Sequence, residues 1–325
     1  MSTVDLPVAP PAPRPGRRKE GQSPPWRLRD RLGLGLAWCL GLLFCAVAVA
    51  IVVYFLIQGI KYVRPSLFVT NPVTTANGTS GGGFLDPLLG TFLVTAMAMV
   101  VALPVGISIA VWLSEYGRPA ALARVAESTI EMIAGIPSIV LALFGVLLFE
   151  APVLGFLSSS AGGVVFGRSF FAAGTMLSLV ALPLVVTNVR AGLEAIPNHV
   201  REASYALGKT RIATTRRVLL PAARPSVLTG AMLGAGRVIG DTAIIVVLLG
   251  ATLTFNAAGS TPLLSTLRGT GSTLTYYVFY NAPTGEGNQP SRAYAAAFVL
   301  LVIVLALNVG VDVATRRARR LLWSS

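Results

Sequence analysis

Twenty-seven consecutive residues, Leu32–Gln58, carry no charged side chain. At ~1.5 Å per residue such a run makes a helix of roughly 40 Å, longer than the ~30 Å hydrocarbon core of a bilayer. Lipid offers the backbone no hydrogen bonds, so the run must satisfy its own N–H and C=O groups, and a helix does so. It is too long for the apolar region of a secretory signal and has no clear small-x-small exit, so it reads as a retained signal anchor and first transmembrane helix, 32–58. Cys39 and Cys45 lie inside it, about 9 Å apart along a helix, too far to pair. They read as small buried hydrophobes.

Five more predominantly apolar runs follow: Leu88–Ser114, Ile130–Phe149, Phe170–Val189, Pro225–Gly250 and Tyr294–Val313. Pro104 is expected to bend the second span. A chain that is 54% hydrophobic and 12% charged, with mean hydropathy +0.72, is too apolar for a soluble domain. The fold class expected is therefore all-α, a polytopic membrane protein with six transmembrane helices. Residues 1–31 are rich in Pro and Arg without apolar periodicity and read as a disordered basic cytoplasmic tail. Segment 255–292, with "TLTYYVFY", reads as a loop holding a short re-entrant or interfacial helix.

The net charge of +13 does not point to nucleic acid, because the basic residues gather at the ends of apolar runs. With the N-terminus inside, 19 of the 26 Lys and Arg residues fall in inside segments and five outside. Both termini are expected in the cytoplasm, with anionic lipid meeting the basic tail.

Catalysis finds little support. There is one histidine, His199, with no HExxH or CxxC spacing, so no metal or cofactor is expected. His199 follows Asn198, which has the character of a helix N-cap. "GGVVFGRS" (Gly162–Ser169) mimics a phosphate-binding loop, but Arg168 stands where Lys is needed and no strand precedes it, so it reads as an ordinary loop. "NGT" at Asn77–Thr79 is a formal glycosylation sequon read as a turn. The pairs Gly230/Gly234 and Gly236/Gly240 have the spacing of close helix packing.

Two features remain. The first is the inside-facing loop 197–221. Pro197-Asn198 starts a short helix with Val200, Ala203 and Leu207 on one face, Gly208 turns the chain, and a second helix runs to Pro221, with basic residues outward. A lipid-bound interfacial loop would share that composition. The second is a pair of charges inside the fifth span. Arg237 is near its middle, Asp241 follows one turn later on the same face, and Gly230, Gly234 and Gly240 share that side. An Arg at such depth costs ~2.5–3.5 kcal/mol on insertion scales. A structural ion pair and a substrate site both explain the retention of these charges. Similarly, Pro137 of Ile136-Pro137-Ser138 either kinks the third span or opens it and exposes Ser138.

Spacing is more specific than composition. Glu202-Ala203-Ser204, three residues, Gly208, nine residues, then Val218-Leu219-Leu220-Pro221 resembles the "EAA" loop of ABC-importer permeases, with Ser for the second Ala and Val for Ile. "IAGIPSIVLALFG", "REASYALG", "GRVIGDTA" and the stretch Gly81–Gly117, including its "GGG" and "EYG", look like phosphate-specific transport permeases of the PstA type. The resemblance runs from about Gly81 to the C-terminus. It implies an ABC type I importer permease fold over 85–315, with 197–221 as the coupling loop that docks on a separate ATPase. Coupling would fall to Glu202, Ala203, Ser204, Gly208, Leu220 and Pro221, and the substrate path to Arg237, Asp241, Thr242 and Ser138. The implied partners are a PstC-type permease, two copies of an ATP-binding subunit and an extracytoplasmic phosphate-binding protein, in a bacterial inner membrane. Asp241 stands where the family usually has Glu, and Thr187 where some members have Arg, so sulfate, molybdate and tungstate stay open beside phosphate. A self-sufficient secondary transporter would show internal repeats, and neither "GRVIGDTA" nor the 202–221 pattern recurs.

Overall fold

The computed structural model describes residues 28–74, 80–117, 119–158, 160–161, 164–250 and 262–323. Most of the basic tail and the sequon at Asn77–Thr79 lie outside the described residues. The chain forms two compact units, Met1–Val53 and Tyr54–Ser325. Helix α1 (Leu28–Ile60) already includes residues 28–31, which the sequence assigned to the tail. Cys39 and Cys45 are exposed rather than buried, like Trp38 and Phe44 beside them. Periodicity cannot separate these cases, because a helix surrounded by lipid is apolar all round.

The second unit continues with α2 (Leu85–Val111), α3 (Ala120–Gly135), α4 (Ser138–Phe149) and α5 (Phe170–Glu194). Then come α6 (Asn198–Ala206), α7 (Arg211–Thr214), α8 (Leu220–Ala222), α9 (Arg224–Ile239) and α10 (Ala243–Leu249). Helices α11 (Pro262–Arg268), α12 (Leu274–Asn281) and α13 (Pro290–Trp323) complete it. Two small antiparallel hairpins decorate the connections, β1 (Pro72–Thr74) with β2 (Ser80–Gly82), and β3 (Ser160–Ala161) with β4 (Val164–Val165). Ser169 of the phosphate-loop mimic caps α5, its Oγ accepting from the Ala172 N–H at 3.0 Å.

Among the described residues, four helices are each long and apolar enough to cross a membrane: Leu32–Ile60, Leu85–Tyr116, Phe170–Glu194 and Pro290–Gly310. Two further pairs among the described residues reach that length and apolarity only when taken together across a bend, α3 with α4 at 103° and Arg211–Ala222 with α9 at 69°. The third span expected at Ile130–Phe149 is therefore not one helix. Ile136 and Pro137 are extended, with ψ of 129° and 133°, because Pro disfavours the helical region for its predecessor and donates no hydrogen bond. The fifth span expected at Pro225–Gly250 is also interrupted, at Gly240–Thr242. Pro104, by contrast, sits inside α2 without ending it.

Helix α5 is the hub. It packs along α2 and α9 and also touches α3, α4 and α10. The α2 face toward it is a four-residue repeat of small side chains, Ala98, Ala102, Gly106 and Ala110, all buried. A Cβ built on Gly106 would fall 2.7 Å from Val185 Cγ1, so only glycine allows this approach. Backbone proximity of this kind is how helices associate in lipid, where apolar burial drives little. Gly230 and Gly234 of α9 also press on α5, each within 3.4 Å of Val185 atoms if given a Cβ.

Candidate functional site

The two interruptions meet. Arg237 lies in the last turn of α9, Asp241 in the break beyond it, and Ser138 at the first turn of α4. Arg237 Nη1 donates to Asp241 Oδ2 at 2.9 Å and Nη2 to Ser138 Oγ at 3.1 Å. Asp241 Oδ1 accepts from the Ile244 N–H at 3.0 Å. The carboxylate thus caps α10, which explains the break: an Asp side chain that bonds the backbone three residues on competes with continued helix. Thr242 stands between, half-buried, with its carbonyl bonded to Val246 N at 2.9 Å and no side-chain cap bond.

The pair is asymmetric. The Asp241 side chain is 2% exposed and that of Arg237 42%. The anion is hidden with both oxygens engaged, while the cation faces open space. Among the described residues, two of the five guanidinium donors are used. Gly230 and Gly234, seven and three residues before Arg237 in the same helix, turn to α5, whereas a Cβ on Gly236 would meet nothing within 4 Å, so of the two glycine pairs it is Gly230/Gly234 that packs against a neighbouring helix.

Two threonines that sequence reading passed over complete the surroundings. Thr275 of α12 donates to the Ile239 carbonyl at 2.7 Å, covering an acceptor that the end of α9 leaves free. Thr91 of α2 accepts from the Leu274 N–H at 2.9 Å and so fixes the start of α12. Thr275 stands at a helix start, its one sequence signal; Thr91, six residues into α2, had none. Thr187 bonds back to the Pro183 carbonyl of its own helix at 2.8 Å.

The loop 197–221 folds as helix, turn and helix. Pro197 rather than Asn198 holds the cap position of α6, and Asn198 is its first residue. Gly208 has φ +75°, and a Cβ there would meet nothing within 4 Å, so glycine serves the left-handed turn and not a tight contact. Ser204 is buried and its Oγ shares a 2.9 Å hydrogen bond with Thr214 Oγ1, pinning α6 to α7. The second arm runs from α7 through a π-helical turn, Thr215–Leu219, into α8, so Pro221 lies within its end and does not stop it. Glu202, Ala203 and Gly208 are exposed, whereas Leu220 and Pro221 are half-buried on the way to α9. Leu207 and Ile212, flanking the turn, are 79% and 72% exposed.

The sequence profile described as "Binding-protein-dependent transport system inner membrane component" matches residues 102–320. The phosphate transport system permease protein PstA 1 of Mycobacterium tuberculosis is 35% identical over 242 residues, 73% of this chain and 72% of that protein. The phosphate transport system permease protein PstC of Pasteurella multocida is 30% identical over 197 residues, 55% of this chain and 59% of that one. Among solved structures, a bacterial alginate ABC transporter, in complex with its alginate pentasaccharide-bound periplasmic protein, shares the fold. Its matching chain has a TM-score of 0.60 at 16% identity, covering 89% of this chain and 95% of that one.

Proposed function

The chain belongs to the family of binding-protein-dependent transport system inner membrane components, as a multi-pass ABC-importer permease; from that premise we propose that its cargo is inorganic phosphate and that Arg237 lies on the path. The observation that carries the reading is the half-open guanidinium of Arg237, aimed from a broken span by a buried carboxylate. A planar fork of N–H donors suits a tetrahedral oxyanion, and charge-assisted bonds of this type are strong. Asp241 orients the fork and competes for it, which keeps anion binding weak enough for release. Ser138 and Thr242 add polar groups where helices are interrupted, the setting in which transporters expose backbone and side-chain partners to cargo. The 35% identity to a permease named for phosphate supports that anion over sulfate, molybdate or tungstate.

In this reading α6, Gly208 and α7 dock on an ATP-binding subunit present in two copies, with Glu202 as an acidic handle and Leu207 and Ile212 as apolar contacts. A PstC-type permease is the pseudo-symmetric mate, and an extracytoplasmic binding protein delivers the phosphate. ATP is hydrolysed on the partner, and both termini face the cytoplasm. The test is uptake of radiolabelled phosphate by the co-expressed complex, with sulfate and molybdate as competitors. Phosphate alone should compete, and Arg237→Gln should insert and assemble without uptake. Preferential uptake of molybdate or sulfate overturns the assignment of the anion.

A further inference from the structure

Arg201 directly precedes Glu202, and the sequence placed it with the outward basic residues of the loop. It instead lies beneath the loop, with its side chain 16% exposed and that of its partner Glu115 8%. Nη2 and Nε donate to Glu115 Oε1 at 2.9 and 3.2 Å. Nη2 also donates to the Leu193 carbonyl at 2.8 Å and Nη1 to the Ile196 carbonyl at 2.6 Å. These carbonyls belong to the end of α5 and the turn after it, where helical N–H groups run out; Leu193 O also accepts from the Ile196 N–H at 3.3 Å. One guanidinium thus grips α2, α5 and the loop together.

Glu115 is set up for this by local structure. It sits on a π-helical turn, Trp112–Tyr116, that ends α2 and is closed by Gly117 N–H to Trp112 O at 2.7 Å. One extra residue in a helical turn rotates the side chains beyond it by about 100°, and such turns concentrate at functional sites. The Glu115 carbonyl also accepts from Arg211 Nη1 at 3.5 Å. Both arms of the loop, before and after Gly208, therefore reach the same residue of α2. The nearby ion pair of Arg190 with Glu127 is different: both side chains are about a third exposed, at 33% and 36%, and pairs so solvated hold little.

We infer that Glu115 and Arg201 are positioning residues forming the joint that passes motion of the coupling loop to α2 and α5, and through α5 to the Arg237 site on α9. This rests on the permease reading of the loop. A joint must be stiff in both directions, and a buried fork bonded to two carbonyls and a carboxylate is stiff where a single lysine ammonium is not. Because α2 and α5 approach at backbone distance, they move as one body once the joint is held.

The experiment uses the assembled transporter in proteoliposomes, with ATP hydrolysis and phosphate uptake measured on the same vesicles. The variants are Glu115→Gln, which keeps shape, and Arg201→Lys, which keeps charge. ATP hydrolysis is expected to persist while phosphate moved per ATP falls about tenfold. A second readout needs no cargo: a nitroxide on Leu207→Cys, with Cys39 and Cys45 replaced by Ala, should be immobilised in the otherwise unchanged chain and mobile with Glu115→Gln. Unchanged phosphate per ATP with unchanged label mobility overturns the inference. Loss of the assembled complex in both variants also overturns it, since the pair would then only support the fold. If the parent complex hydrolyses ATP without moving phosphate, the cargo assignment fails, and the label still tests the joint.

Discussion

Removing charge from the Arg237–Asp241 pair in three ways separates holding helices together from moving an anion. In Arg237→Gln, Asp241 Oδ2 loses its 2.9 Å partner while the carboxylate stays 2% exposed. Stranding one member of a buried pair costs ~3–5 kcal/mol, and the 42% exposure of Arg237 places this case toward the lower end. In Asp241→Asn the remaining charge is the half-solvated one, and the amide oxygen can still accept from Ile244 N–H, so the loss is smaller, ~1–3 kcal/mol. The double variant leaves two neutral amides that can bond each other. It should recover part of the loss, with a coupling of ~0.5–3 kcal/mol. Uptake obeys a different rule. A charge-assisted bond to phosphate is worth ~1.5–3 kcal/mol, or roughly 10- to 150-fold in rate, and neither single nor double variant lacking Arg237 can make it. Thermal melting of the detergent-purified complex and phosphate uptake should therefore come apart: the double variant regains stability and stays inactive. Near-normal uptake by the double variant would take Arg237 off the path and make the pair purely structural.

Other perturbations test the remaining architecture. Gly208→Asp puts a charge on an open turn with φ +75°, so uptake should collapse while the amount of protein in the membrane, read by immunoblot, is unchanged. Gly106→Leu drives a side chain into Val185, 2.7 Å from the first added carbon, and should cost ~1–3 kcal/mol or more, seen as a lower melting temperature. Thr275→Val leaves the Ile239 carbonyl without its donor at a cost of ~1–3 kcal/mol and should slow uptake, with Thr275→Ser retaining it.

Continuous spans were legible because length and hydropathy are one-dimensional properties: α1, α2, α5 and α13 emerge directly from long apolar runs. The helix, turn and helix of 197–221 were legible because Gly208 and Ser204 act on neighbours close in sequence. The breaks were not. "GDT" reads as three small or polar residues in an apolar run, and beside the Asp241 cap its interruption uses Thr275, 36 residues away from Ile239, to bond the freed carbonyl. Pro137 allowed a kink or a full turn, and nothing local in the sequence shows that Ser138 meets Arg237, 99 residues on. Arg201 was misplaced for the same reason, since its partner Glu115 is 86 residues earlier.

The shortness of α4 has a consequence for how the chain is made. Its 12 residues reach about 18 Å, well short of the ~30 Å hydrocarbon layer. Bent 103° from α3, it cannot rest across the bilayer as an independent insert during synthesis. Its packing partners, α5 and α10, and the Arg237 that bonds Ser138 all emerge from the ribosome later. This segment must therefore wait at the translocon or the interface until the chain has been made at least to Leu249. Nascent chains arrested before that point should expose α4 to proteases and to membrane quality control, so the step most prone to failure in biogenesis is the late closing of the middle of the fold.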